Sequence, residues 1–75
     1  MMKVGKLFYD HYEERYAIKY DDSSFSELFH CGDCLQVYFN NKWIDTRFEM
    51  NCNGWYLIGI DSNIEKTSLL AKLYS

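Results

Sequence analysis

Three runs of alternating apolar and polar side chains fill residues 33–60 (DCLQVYFNNKWIDTRFEMNCNGWYLIGI), and they constrain this chain more than any other feature. Alternation of period two sends successive side chains to opposite faces of a strand. Asn40-Asn41 and Asn53-Gly54 separate the runs. Asn tolerates the positive φ that both centres of a type I′ turn require, and Asn-Gly is a preferred pair there. The stretch therefore predicts a three-stranded antiparallel meander.

Two-residue turns would fix its register. Val37 then faces Ile44, Leu35 faces Thr46, Met50 faces Leu57, Phe48 faces Gly59 and Cys52 faces Trp55. These pairs make the inner face, with Phe48 lying across the bare Gly59. The outer face carries Cys34, Gln36 and Tyr38 beside Arg47, Asp45 and Trp43, then Glu49 beside Ile58 and Arg47 beside Ile60.

The flanking segments read as edging and cover for this sheet. Residues 3–9 predict a first strand, with Gly5 as a bend. Residues 10–14 are polar and turn. Residues 15–20 predict a second strand with Tyr16, Ile18 and Tyr20 on one face, completing an N-terminal hairpin against the meander. Ser24 followed by Glu27 has capping-box spacing, and Phe25, Leu28 and Phe29 then share one side. A short helix over residues 24–29, stopped by Gly32, is the expectation, plugging an open end of the sheet. Ser62 and Glu65 repeat the capping spacing and favour a helical turn from Asn63. Beyond it two readings stand. Leu69, Leu70, Leu73 and Tyr74 form a helical stripe, while Leu69, Ala71 and Leu73 form one face of a strand.

The chain has 75 residues, enough for a single domain, residues 1–75. Its 48% hydrophobic and 19% aromatic content argues against disorder. A domain of this size buries only about 60% of its unfolded surface, so large aromatics must compensate. The predicted fold is mainly β, a small antiparallel SH3-like partly closed barrel with a short helix. The net charge of −3 and a pI near 5.2 weigh against nonspecific nucleic-acid binding, which needs a cationic field. No apolar run is long enough to span a membrane, and the first ten residues lack the core of a signal peptide. With three cysteines, an odd number, the chain reads as cytoplasmic.

A set of spaced motifs carries a resemblance. They are His30-Cys31-Gly32-Asp33-Cys34-Leu35-Gln36-Val37, then Trp43 with Thr46-Arg47-Phe48-Glu49, then Gly54-Trp55-Tyr56-Leu57-Ile58-Gly59. Gly5-Lys6-Leu7 and Arg15-Tyr16-Ala17-Ile18 fit the opening. The chain resembles, to about Ile60, a family of small bacterial domains of unknown function common on mobile elements of Gram-positive bacteria. The resemblance implies a compact, mainly β domain and supplies no catalytic residues. The end departs from the family pattern: Leu69-Leu70-Ala71-Lys72-Leu73-Tyr74 stands where a glycine-containing basic strand is usual.

Candidate chemistry is sparse. His30, Cys31, Cys34 and Cys52 have the residue types of a Cys₃His zinc site, but a second C-x-x-C is missing and the register puts Cys34 and Cys52 on opposite faces. Cys52 then reads as a small core residue and Cys31 as partly covered. Cys31-Gly32-Asp33-Cys34 lacks the helix N-terminus that activates a redox dithiol. Cys34 opposite Arg47 retains a modest thiolate stabilisation. His11 and His30 sit in polar turns without a nucleophile. No metal, cofactor or enzymatic activity is expected.

The outer face is the stronger lead. Tyr38, Trp43, Arg47, Glu49 and Tyr56 share it, an arginine among aromatics, the composition of an interface hot spot. The competing reading is that the terminal elements cover this face and leave an ordinary cross-strand charge set. The function expected is a non-enzymatic protein–protein interaction module, an accessory or inhibitor protein of a mobile element, whose partner presents a basic surface. The alternative is an RNA- or single-strand-binding barrel that stacks bases on Trp43 and Tyr38 and holds phosphates with Arg47, Lys42 and Lys19. A homodimer burying the aromatic face is a further option.

Overall fold

The computed structural model describes residues 3–73. Six strands, β1 (Gly5–Asp10), β2 (Arg15–Tyr20), β3 (Cys34–Phe39), β4 (Lys42–Asn51), β5 (Gly54–Leu57) and β6 (Leu70–Lys72), form one sheet in the order β2-β1-β6-β3-β4-β5. Every pairing is antiparallel. The fold is mainly β, as expected.

The N-terminal hairpin follows the pattern. Leu7 faces Ile18 and Tyr9 faces Tyr16, and Asp10 accepts the amide N–H groups of Tyr12 and Glu13 to set the turn. It does not pair with the meander. The last strand, β6, is inserted between β1 and β3, with Ala71 aligned to both Gly5 and Val37. Gly5 is buried, and a β-carbon there would overlap the Lys19 carbonyl oxygen. Glycine is required at this position because the backbones approach so closely.

In the β3–β4 hairpin the turn chemistry decides. Asn40 and Asn41 have φ of 53° and 64°, and Val37 faces Ile44 with Leu35 opposite Thr46. The β4–β5 register is a correction. Phe48 faces Leu57, Glu49 faces Tyr56 and Met50 faces Trp55, two residues away from the expected pairing. The turn centres are Cys52 and Asn53, at negative φ, and Gly54 follows at φ 111°. Gly54 thus opens β5 opposite Asn51 as the first residue after the turn, rather than serving as its second centre. Asn51 accepts the Asn53 amide and stabilises this arrangement. A two-residue shift preserves faces, but it moves Gly59 into the bend after β5. It also leaves Met50, 49% exposed, and Cys52 outside the core.

The expected helix over residues 24–29 does not form. The Asp22 carboxylate takes both the amide and the hydroxyl of Ser24, so the cap is spent locally. The backbone then runs along the free edge of β2. Ser26 and Phe29 donate amides to the Ile18 and Tyr16 carbonyls, and Tyr20 donates to that of Ser24. The Ser26 hydroxyl accepts the Ile18 amide. Edge amides of β2 thereby gain partners, which a helical plug would have left unpaired. Gly32, at φ 88°, belongs to a turn closed by the Asp33 amide on the His30 carbonyl rather than to a helix stop.

At the C-terminal end the strand reading prevails. Leu69 and Ala71 are buried and Leu73 is exposed. Asp61, not Ser62, anchors the preceding turn by accepting the Asn63 amide, and one 3₁₀ turn, Lys66–Ser68, leads into β6. Tyr74, part of the alternative helical stripe, lies outside the described residues.

The core gathers on the inner face around Phe48, which is fully buried. Tyr16 stacks on it at 5.2 Å between ring centroids, Phe29 packs at 5.0 Å and Trp55 meets it edge-on at 5.9 Å. The buried Thr46 hydroxyl donates to the Ile58 carbonyl at 2.7 Å. Burial pushes the Tyr16 phenol above its usual pKa, with the Glu65 carboxylate and Tyr9 adding to the effect. The two ends of the strand order meet where the Trp55 indole N–H donates to the Glu14 carbonyl at 2.9 Å.

Candidate interaction face

The outer face of β3, β4 and β5 is built by strand alternation alone. Tyr38 lies opposite Trp43, Gln36 opposite Asp45, Cys34 opposite Arg47, and Glu49 opposite Tyr56. All five residues singled out from the sequence, Tyr38, Trp43, Arg47, Glu49 and Tyr56, therefore share a face. The terminal strands do not cover it, because β1 and β6 are incorporated into the sheet. Tyr38 is 40% exposed and Ile58 38% exposed.

Within that face the residues form two groups. Tyr38 and Trp43 are in contact, with ring centroids 5.4 Å apart at 67°. The Lys72 ammonium sits over the Trp43 ring, 4.3 Å from its centroid. The second group is Arg47, whose Nε donates to Glu49 Oε2 at 2.8 Å, with Tyr56 across the ladder from Glu49. Arg47 is not at the centre of the aromatics. It lies four positions along β4 from Trp43, about 13 Å away. Asp45 fills the interval and accepts a hydrogen bond from the Gln36 amide at 2.7 Å.

Sequence reasoning missed Lys72. It reaches Trp43 only because β6 pairs with β3, which places Lys72 opposite Gln36. Of the cations assigned to phosphate contacts, Lys19 does lie on the outer face, on β2 opposite Lys6. Lys42 does not, since it falls opposite Phe39 on the other alternation.

The remaining candidates are dispersed. Cys31, Cys34 and Cys52 are free and exposed, which corrects the core assignment of Cys52 and the covered one of Cys31. Among the described residues, no group of three or more His, Cys, Asp or Glu side chains is close enough to hold a metal ion. His30 lies 3.6 Å from Asp33 at an exposed turn, and His11 packs edge-on against Tyr9. Asp22 has its carboxyl lowered to about 2, first by hydrogen bonds from Ser24 and then by Lys3. Among the described residues no helix is long and apolar enough to cross a membrane.

Comparison with known proteins gives a family and a fold. Residues 5–73 match the family described as Domain of unknown function (DUF5348). The crystal structure of a protein from Ruminococcus gnavus is similar, with 35% identity and a TM-score of 0.82, over 95% of this chain and 100% of that one. No curated protein matches.

Proposed function

We propose that this chain, which belongs to the DUF5348 family, is a non-enzymatic protein–protein interaction module working through the outer face of β3, β4 and β5. Tyr38 and Trp43 are its central anchors, and Arg47, Glu49 and Tyr56 form a polar flank. The observation that carries the reading is the aromatic pair, held in contact under Lys72 on a face where Tyr38 stays exposed and Trp43 half-buried. Rigid, partly exposed aromatics bordered by satisfied charged pairs are the usual makeup of binding hot spots. The acidic balance of the whole chain favours a partner that is basic overall.

An SH3-like, partly closed barrel is the class we assign to the sheet. The indole bond from Trp55 to Glu14 and the backing of β2 by residues 24–29 support it, although β2 and β5 do not pair with each other.

A nucleic-acid reading draws support from Lys6, Lys19 and Lys72, which share the outer face with the aromatics. It is the weaker one, because Lys72 already occupies a face of Trp43 that a base would need for stacking. Affinity capture from a lysate of the source cells, comparing the native chain with Trp43→Ala, tests the proposal. A protein held by the native chain, lost from the variant and rebinding when purified is the expected result. Retention of nuclease-sensitive material instead, with binding that falls steeply with salt, would replace it with the nucleic-acid reading.

A further inference from the structure

A groove of about 510 Å³ crosses β2, β1 and β6 on the outer face, beside the Tyr38–Trp43 pair and distinct from it. Val4, Phe8 and Leu70 are its apolar walls, and Lys6 and Lys19 stand between them. The ladder fixes this order. Lys6 faces Lys19 and also Leu70, while Phe8 faces Ala17 one step away. Val4 and Asp21 follow beyond the last pair, Gly5 with Tyr20.

Two features of the groove point to a ligand. Like charges directly opposite on a ladder repel, and among the described residues neither Lys6 nor Lys19 forms an ion pair. A chain that is acidic overall thus sets two adjacent, unneutralised ammonium groups in one groove. The groove also keeps Val4, Phe8 and Leu70 between 38% and 39% exposed, close enough to the lysines to be covered by the same ligand.

We propose that this groove binds an extended acidic segment of a protein partner, in which one carboxylate is flanked by large apolar residues two positions away on each side. Along β1 and the residue before it, Val4, Lys6 and Phe8 follow one another at positions i, i+2 and i+4 and line the groove. An extended peptide lying over the strand shows one face with the same period. Its carboxylate meets Lys6 and Lys19, and its apolar side chains meet Phe8 at one end and Val4 at the other, with Leu70 walling the groove beside Lys6. Asp21, beyond the lysines, disfavours a second acidic residue at that end. The segment's local charge is opposite to that of a partner that is basic overall. Net charge steers the approach, whereas paired charges at contact set the register.

The test is a titration of the isotope-labelled full chain with the capped peptide Ser-Leu-Ser-Glu-Ser-Phe-Ser, followed through backbone amide shifts. Saturable shifts clustered at residues 5–8, Lys19 and Leu70 are expected. Lys19→Glu should weaken binding by about tenfold or more, as should a peptide with lysine in place of glutamate. Lys19→Gln, which keeps the chain length without the charge reversal, should fall between, and the amide spectrum shows that each variant is folded. No saturable shift at about 5 mM peptide would overturn the proposal. So would equal binding of the lysine peptide, or stronger shifts of the same amides by an oligothymidylate. The result is separable from the role of Trp43: loss of a captured partner from Trp43→Ala with no peptide binding sinks the groove alone. Peptide binding without any Trp43-dependent partner sinks the aromatic centre alone.

Discussion

The two faces of one sheet arrange their aromatics in opposite ways. On the inner face the aromatics converge, with Tyr16, Phe29 and Trp55 packed around a Phe48 that has no exposure at all. On the outer face they pair off in place. Tyr38 rests against Trp43, and Phe8 against Phe25, with centroids 5.1 Å apart and Phe25 51% exposed. A chain this small needs its large aromatics for stability. Four are nevertheless left in or near solvent, among lysines and arginine, and in the proposed function Tyr38 and Trp43 among them meet the partner.

Substitutions can break that contrast in order of size. Phe48→Ala empties the centre of the inner face and should cost about 3–5 kcal/mol, enough to leave much of the chain unfolded in a denaturant titration. Gly5→Ala forces the β1–β2 backbones apart and should cost about 1–3 kcal/mol, read as a lower denaturation midpoint. Trp43→Ala should cost only about 0.5–1.5 kcal/mol, from the lost Tyr38 contact, and leave a cooperative transition. A loss as large as that of Phe48→Ala would mean that the outer aromatics belong to the core.

The smallest effect is electrostatic. Asp22 titrates at about 2 in the folded chain against 3.8 without its partners, so it favours folding above about pH 4, an effect lost as pH falls through 2. Ser24→Ala removes the first cause, and the Asp22 carboxyl followed by NMR should then titrate closer to 3.8. Tyr16 has the opposite sign. Its raised pKa means that stability holds below pH 10 and declines above it, as the unfolded phenol ionises first.

The contrast also marks what was legible in the sequence. Alternation assigned every outer-face residue from Cys34 to Glu49, and Asn40-Asn41 set the β3–β4 register because both residues accept positive φ. Asn53-Gly54 misled because the two-residue turn is centred one position earlier, on Cys52-Asn53, and the glycine takes its positive φ at the first residue of β5. The choice fell to the packing of Leu57 opposite Phe48. The Ser24–Glu27 spacing misled because a local capping signal competes with a distant one, the unpaired edge of β2. Lys72 over Trp43 had no local signature, since three residues of β6 find their place only once β1 and β3 are set apart.

The most direct test of the central claim follows the emission of Trp43 in a Trp55→Phe background, with and without the partner recovered by affinity capture. A blue shift and protection from acrylamide quenching on binding are the predicted result, because the indole passes from a partly covered site to a fully covered one. Full binding with unchanged emission and quenching would contradict the account and place the working surface elsewhere.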